Sequence, residues 1–90
     1  MRSEREDHKL GSKLQAYVLI QTEIGYSLKV LPALREVSQV KRADGVIGPY
    51  DIVALVDSSD IDGIGKVVVE SIQIIPGVTR TLTCPLTEII

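Results

Sequence analysis

The chain has 90 residues, of which 44% are apolar, and it contains neither Phe nor Trp. A chain of this length forms one domain whose core comes from Ile, Val and Leu, which suit strands. The net charge is −2 and the basic residues are scattered, which argues against direct nucleic-acid binding. No apolar run approaches the roughly 20 residues of a membrane span, and the polar N-terminus is unlike a signal peptide. We therefore expect a cytoplasmic protein.

Cysteine and histidine usage points away from disulfides and metals. The single cysteine, Cys84, excludes an internal disulfide framework, and its apolar strand context predicts a packed small hydrophobe rather than a reactive thiol. Residues 1–14 are polar without periodicity, so we expect a disordered or loosely helical leader, or an addition foreign to the natural chain. The only histidine, His8, lies there without a second ligand at metal spacing, so no metal or cofactor is expected. The folded domain is then 15–90.

The first predicted strand is 15–22, and both of its faces are mainly apolar. Ser27 is a suitable N-cap for an amphipathic helix over 28–37. Pro32 would remove a hydrogen bond inside this helix, so we expect either a kink there or a helix that effectively begins near Leu31. The apolar positions recur at helical spacing: Val30, Leu31, Leu34 and Val37.

A hairpin is predicted next in the chain. Residues 40–47 form its first strand, Lys41-Arg42 favours a sheet edge, and a bulge is expected at Gly45. Gly48-Pro49 predicts a tight reversal. The apolar run 52–56 that follows predicts a central strand buried on both faces. In so small a domain, we expect another subunit to cover one of the two faces of this strand.

The second helix is predicted after this strand. Ser59 and Asp62 resemble a capping box at its start, and Pro76-Gly77 ends it. Gly63 and Gly65 weaken it by up to about 1 kcal/mol each relative to Ala, which indicates close approach to a neighbouring backbone. One helix face carries the apolar residues: Ile61, Ile64, Val68, Ile72 and Ile75.

The stretch 78–84 alternates and predicts the fourth strand, with Thr79, Thr81 and Thr83 on one face and Val78, Arg80, Leu82 and Cys84 on the other. The order βαββαβ defines an α+β, ferredoxin-like sandwich of the dimeric α+β barrel type. It is a four-stranded antiparallel sheet with two helices on one face. The opposite face, including Tyr17 or Leu19, would exceed the apolar patch that a monomer tolerates. We therefore predict a homodimer built sheet face to sheet face.

Four motifs carry a resemblance to a known family: AYVLI at 16–20, GPYD at 48–51, the stretch 57–65, and IPGV followed by TRTLT at 75–83. In this order they resemble the effector-binding (RAM) domain of the Lrp/AsnC transcriptional regulators. The resemblance implies dimerisation through the sheets, assembly of dimers into higher oligomers, and an amino-acid effector bound between dimers. Complete regulators carry a preceding helix-turn-helix domain, for which residues 1–14 are too short, so the chain resembles a stand-alone sensor.

An amino-acid ligand needs an acceptor for its ammonium and donors for its carboxylate. Asp51 could accept from the ammonium in a charge-assisted bond. The backbone N–H groups of Gly48 and Tyr50 could serve the carboxylate, since a glycine turn lets a ligand approach the main chain. Thr81 and Thr83 match the ligand-side threonines that the resemblance implies. The alternative is purely structural, because hairpins favour Gly, Pro and Asp, and strands favour Thr.

Two other functions are compatible with this sequence. One is a structural adaptor that co-assembles with a full-length regulator through the same sheet face and alters how that regulator binds DNA. The other is an enzyme of the dimeric α+β barrel type, which we disfavour because no nucleophile and base pair, metal cluster or phosphate loop occurs. Arg80 is the sole charged strand residue that could serve such an enzyme, and an edge position or a surface ion pair explains it better.

Overall fold

The computed structural model describes residues 13–87. It contains β1 (Leu14–Thr22), α1 (Ser27–Arg35), β2 (Val40–Gly45), β3 (Ile52–Ser58), α2 (Ile61–Val67), a π-helix (Val68–Ile72) and β4 (Val78–Pro85). The sheet order is β2-β3-β1-β4 with every neighbouring pair antiparallel. The predicted ferredoxin-like fold is confirmed. Within the predicted leader only Lys13 and Leu14 are described, and Leu14 already belongs to β1; His8 lies outside the described residues.

The core lies between the sheet and the helices. Strands β1 and β3 each turn alternate residues towards the helices, as period-two side chains require. The opposite side of β3 is only half-buried, so a single protomer covers one face of this central strand. The fully buried members of the core are Ala16, Val18, Ile20, Val30, Leu34, Ile52, Ala54, Val56 and Ile72.

Helix α1 begins one residue earlier than predicted. Ser27 is its first residue rather than its cap; the N-cap, Tyr26, makes no side-chain cap bond. Pro32 lies inside the helix, so the expected start near Leu31 is wrong. The predicted apolar face is confirmed, since Val30 and Leu34 are buried and their two apolar neighbours pack against the core. Burial of this face supplies the stability that a nine-residue helix lacks alone.

Strand β2 ends at Gly45, two residues before the predicted end, and forms the predicted sheet edge. The bulge expected at Gly45 is wrong, because Gly45 pairs regularly with Ile52. The irregularity lies at Lys41, which is inserted where β2 passes from Val40 to Arg42. One inserted residue reverses which face each later side chain occupies. Val40 and Ala43 therefore both reach the core.

Helix α2 is capped by Asp60, whose Oδ1 accepts from the Gly63 N–H at 2.7 Å; the predicted cap at Ser59 is wrong. The π-helix follows directly, with the Gln73 N–H donating to the Val68 oxygen at 2.8 Å, and no sequence signal predicts it. Four of the five predicted apolar positions pack inward, but Ile61 is 52% exposed.

The two helix glycines differ in their surroundings. A Cβ on Gly63 would overlap the side-chain oxygen of Ser58, so this position is close to a side chain rather than to a backbone. A Cβ on Gly65 would meet nothing within 4 Å. The predicted close approach to a neighbouring backbone is therefore wrong for Gly65, which has no close neighbour. Gly63 does have a close neighbour, but it is a side chain instead of a backbone.

Strand β4 carries a second irregularity. Gln21 pairs with Arg80 and Thr22 with Val78, so Thr79 is an extra residue on β4. Its Oγ1 donates to the Gln21 oxygen at 3.1 Å. The prediction that Thr79 belongs to the same row as the other two threonines is therefore wrong.

Cys84 is exposed in the protomer, contrary to the packed environment predicted for it. It pairs with Tyr17 on the sheet face that the helices do not cover.

Candidate functional site

The sheet face away from the helices has an apolar centre. We call it the open face; its centre is formed by Tyr17, Leu19, Val53, Leu55 and Leu82, which pair across β1, β3 and β4. Tyr17 is 44% and Leu82 48% exposed, and the other three are half-buried. Both helices pack on the opposite face, so no helix of residues 13–87 covers this one. An exposed apolar sheet centre of this kind marks an interaction surface.

Polar pairs surround this centre. Arg42 Nε lies 2.7 Å from Asp44 Oδ2, and this hydrogen bond and its charge hold the pKa of Arg42 above its ordinary value. Gln15 Nε2 donates to Asp57 Oδ1 at 2.8 Å. A depression of about 290 Å³ on this face is lined by Tyr17, Arg42, Asp44, Val53 and Leu55. The open face thus combines an apolar centre with a polar rim, as protein interfaces do.

The β2–β3 hairpin, residues 46–51, lies at one end of the sheet. Gly48 has φ +145°, a conformation that side chains disfavour. The Val46 N–H donates to the Asp51 oxygen and the Asp51 N–H donates to the Ile20 oxygen, both at 2.9 Å. Gln21 Nε2 donates to the Pro49 oxygen at 3.2 Å. The hairpin is therefore tied to the end of β1 by backbone and side-chain bonds.

The Asp51 carboxylate is half-buried and already has protein partners. Its Oδ2 accepts from the Thr22 N–H at 2.7 Å and from Thr22 Oγ1 at 3.2 Å. Thr22 Oγ1 also lies 3.1 Å from Ser27 Oγ. Sequence reasoning missed Thr22 and gave Ser27 another role. The contact joins residues 29 positions apart in the chain, so no local pattern could reveal it.

The five predicted site residues form two groups in the protomer. Gly48, Tyr50 and Asp51 lie together in the hairpin. Thr81 and Thr83 pair with Ile20 and Val18, so both are on the helix-covered side of β4. Strand β1 lies between β3 and β4, which puts the two groups about 10 Å apart, two strand spacings.

Thr81 already has a partner, since its Oγ1 accepts from Gln73 Nε2 at 2.9 Å. In the hairpin, neither the Gly48 N–H nor the Tyr50 N–H has an acceptor among the described residues. The hairpin therefore has backbone N–H donors without a partner in the same turn as a carboxylate. On β4, by contrast, the Thr81 hydroxyl already accepts one hydrogen bond.

No group of three or more His, Cys, Asp or Glu side chains between residues 13 and 87 could hold a metal ion. None of the helices in that range is long and apolar enough to cross a membrane.

The domain is an α+β, ferredoxin-like sandwich with an open apolar sheet face and a hydrogen-bonded hairpin at one end. The sequence model of the Lrp/AsnC ligand binding domain matches residues 15–90. The chain belongs to this family. It is an effector-binding module of the Lrp/AsnC type.

Solved structures share this fold. TTHA0845 from Thermus thermophilus is 35% identical, with a TM-score of 0.78 over 82% of this chain and 92% of that one. E. coli AsnC, 22% identical, has a TM-score of 0.82 over 98% of this chain, which spans 58% of AsnC. The transcriptional regulator NMB0573 from Neisseria meningitidis, solved as an L-Met complex, is 18% identical, with a TM-score of 0.75 over 100% of this chain and 58% of that one. No match was found among curated protein sequences.

Proposed function

We propose that this domain binds an amino-acid effector at its hairpin and assembles as a homodimer through its open face, with dimers joining into higher oligomers. The observation that carries the proposal is the Asp51 carboxylate in the same hairpin as the unpaired N–H groups of Gly48 and Tyr50. This arrangement supplies an acceptor for an ammonium and donors for a carboxylate, the two groups that every free amino acid presents. NMB0573, which shares the fold, was solved with L-Met.

Thr81 and Thr83 complete the proposed site as hydroxyl donors. Because they lie two strands away from the hairpin, a ligand bound at one hairpin does not meet both groups of the same protomer. A site between dimers resolves this separation, since a neighbouring protomer can bring its own β4 to the hairpin. The ligand would then stabilise the assembled state by its difference in affinity for the two states.

The open face supports the dimer. Five apolar side chains at its centre contact solvent in the single protomer, and their burial against a second copy removes apolar surface from water at about 25 cal/mol per Å². The polar pairs at the rim would fix how the two copies are oriented relative to each other. We place the protein in the cytoplasm as a binding protein rather than an enzyme, because its family comprises ligand-binding domains of transcriptional regulators.

The test is a thermal-shift titration with each of the twenty amino acids, with molecular mass measured on the same samples. A ligand at 100 times its Kd adds about 2.7 kcal/mol of stability, which is about 10–20 °C in melting temperature for a domain of this size. Asp51→Asn should abolish most of the shift while keeping an acceptor for Thr22. Asp62→Asn, at an exposed helix position, is the matched control. If no amino acid changes either quantity, the sensor proposal is wrong.

The shared fold also favours a second candidate, an adaptor for a full-length regulator. E. coli AsnC has the same architecture as this chain over 58% of its own length, so an equivalent open face could pair with a regulator subunit. Mixing the chain with a full-length family member and measuring mixed oligomers by native mass spectrometry separates the two functions. Mixed species without any amino-acid response support the adaptor, and self-assembly with a response supports the sensor.

A further inference from the structure

The Asp51 side chain is restrained through one of its two oxygens. Oδ2 accepts both bonds from Thr22, at 2.7 Å from the backbone N–H and at 3.2 Å from Oγ1. Among residues 13–87, Oδ1 has no hydrogen-bond partner. One residue therefore sets the orientation of the carboxylate and leaves its second oxygen available.

The direction of the hydrogen bonds follows from proton counting. A hydroxyl has a single proton, and an ionised carboxylate can only accept. Thr22 Oγ1 therefore donates to Asp51 and must accept from Ser27 Oγ, 3.1 Å away. The result is an ordered chain from Ser27 through Thr22 to Asp51. It links the first residue of α1, the end of β1 and the hairpin.

The backbone of Asp51 does not depend on this chain. Its N–H donates to the Ile20 oxygen and its C=O accepts from the Val46 N–H. Loss of the Thr22 hydroxyl would therefore remove one of the two restraints on the carboxylate, leaving the bond from the Thr22 N–H, without releasing the hairpin. A carboxylate that must be ordered when the ligand arrives binds more weakly than one already in place.

We propose that Thr22 is a positioning residue of the effector site, holding Asp51 so that Oδ1 faces the ligand ammonium, with Ser27 orienting the Thr22 hydroxyl. The inference rests on the proposed function, because it assigns Thr22 a role toward the ligand. The Thr22 hydroxyl bonds Asp51 and Ser27, and Thr22 acts through Asp51.

The experiment compares four variants with the wild-type chain. Thr22→Val removes the hydroxyl but keeps the shape and the backbone donor, and Thr22→Ser keeps the hydroxyl. Ser27→Ala removes the donor to Thr22. Ser38→Ala is the matched control, since it deletes an exposed hydroxyl that bonds only the Gln39 side chain, away from the hairpin. The probes are the twenty amino acids, each supplied alone, with Kd measured by calorimetry for those that bind.

Thr22→Val should raise Kd about fivefold, the order expected when a side chain must be ordered on binding. Thr22→Ser should stay within about twofold of wild type, and Ser38→Ala should be unchanged. Ser27→Ala should raise Kd by about threefold. If Thr22→Val does not fold, the Kd of Ser27→Ala tests the same proposal. A Kd unchanged in Thr22→Val, or raised equally in Thr22→Ser, overturns the proposal.

A second readout needs no ligand. Hydrogen exchange of the amide at position 22, corrected for its intrinsic rate, reports on the bond to Asp51 Oδ2 in the free protein, and it should accelerate several-fold in Thr22→Val but not in Ser38→Ala. If no amino acid binds the wild-type chain, the proposed function fails, and this exchange result alone decides whether Thr22 positions Asp51. Unchanged exchange would then refute the positioning role.

Discussion

Replacing Gly77 by Ala tests how the sheet end beside the hairpin is held. Gly77 has φ +101°, and its C=O accepts from the Glu23 N–H at 2.8 Å. A Cβ at this position would lie 2.5 Å from Cδ2 and 2.9 Å from Cγ of Tyr26, the N-cap residue of α1. The substitution therefore adds both backbone strain and overpacking against a ring.

The two effects can be given magnitudes. A side chain at this φ costs about 1–3 kcal/mol, and overpacking costs about 1–3 kcal/mol more. Gly77→Ala should therefore lower the free energy of unfolding by at least about 2 kcal/mol. The melting temperature should fall by at least about 8 °C. Urea denaturation followed by circular dichroism measures the loss, with all variants at one protein concentration because association contributes to stability.

Gly65→Ala is the matched control. A Cβ there meets nothing within 4 Å, and its φ is not in the left-handed region. Since Ala favours a helix by up to about 1 kcal/mol over Gly, this variant should gain stability. Combining Gly77→Ala with Tyr26→Ala should recover only the part of the overpacking that the ring causes, since the Cβ of residue 26, 2.8 Å away, remains. A Gly77→Ala variant no less stable than Gly65→Ala would refute this reasoning.

The remaining predictions concern the open face and the start of α2. Leu55→Lys should reduce the sedimenting mass to that of a protomer, because it puts an ammonium into the apolar centre; Val69→Lys, at an exposed π-helix position, should leave it unchanged. Cys84 should react with iodoacetamide more slowly in the wild-type chain than in Leu55→Lys, since a second copy would cover it. Asp60→Ala should lower stability by about 1 kcal/mol in urea denaturation through loss of the helix cap, whereas Ser59→Ala should not.

Each of these predictions has a result that contradicts it. Equal masses for the two lysine variants would mean that the open face is not the contact. Equal thiol reaction rates would mean that Cys84 stays exposed in the assembled protein. A larger loss for Ser59→Ala than for Asp60→Ala would restore the capping box predicted from the sequence.

The spacing of apolar residues predicted the architecture, because the core positions of each strand and helix recur at a fixed interval along the chain. Alternation identified β4, apolar residues on both faces identified β1, and three- and four-residue spacing identified the buried face of α1. The bulge at Lys41 was missed because it depends on pairing with β3, and its effect is to bring Val40 and Ala43 to the same core. The dipeptide Asp44-Gly45 resembles a turn sequence, so the bulge was predicted at Gly45 instead of Lys41.

The candidate site was less accessible to sequence reasoning. The hairpin motif at 48–51 is local, so its three candidate residues do lie together. The partners of Asp51 lie at the end of another strand, and the predicted capping role of Ser27 is replaced by its contact with Thr22. The separation of Thr81 from Asp51 follows from the strand order, which places β1 between them.

Sedimentation velocity at micromolar concentration tests the central claim, that the open face meets a second copy of the chain. We predict a mass that is an even multiple of the 9.8 kDa protomer, with the Leu55→Lys variant sedimenting as a single protomer. A wild-type chain that sediments at 9.8 kDa across the concentration range would contradict the account.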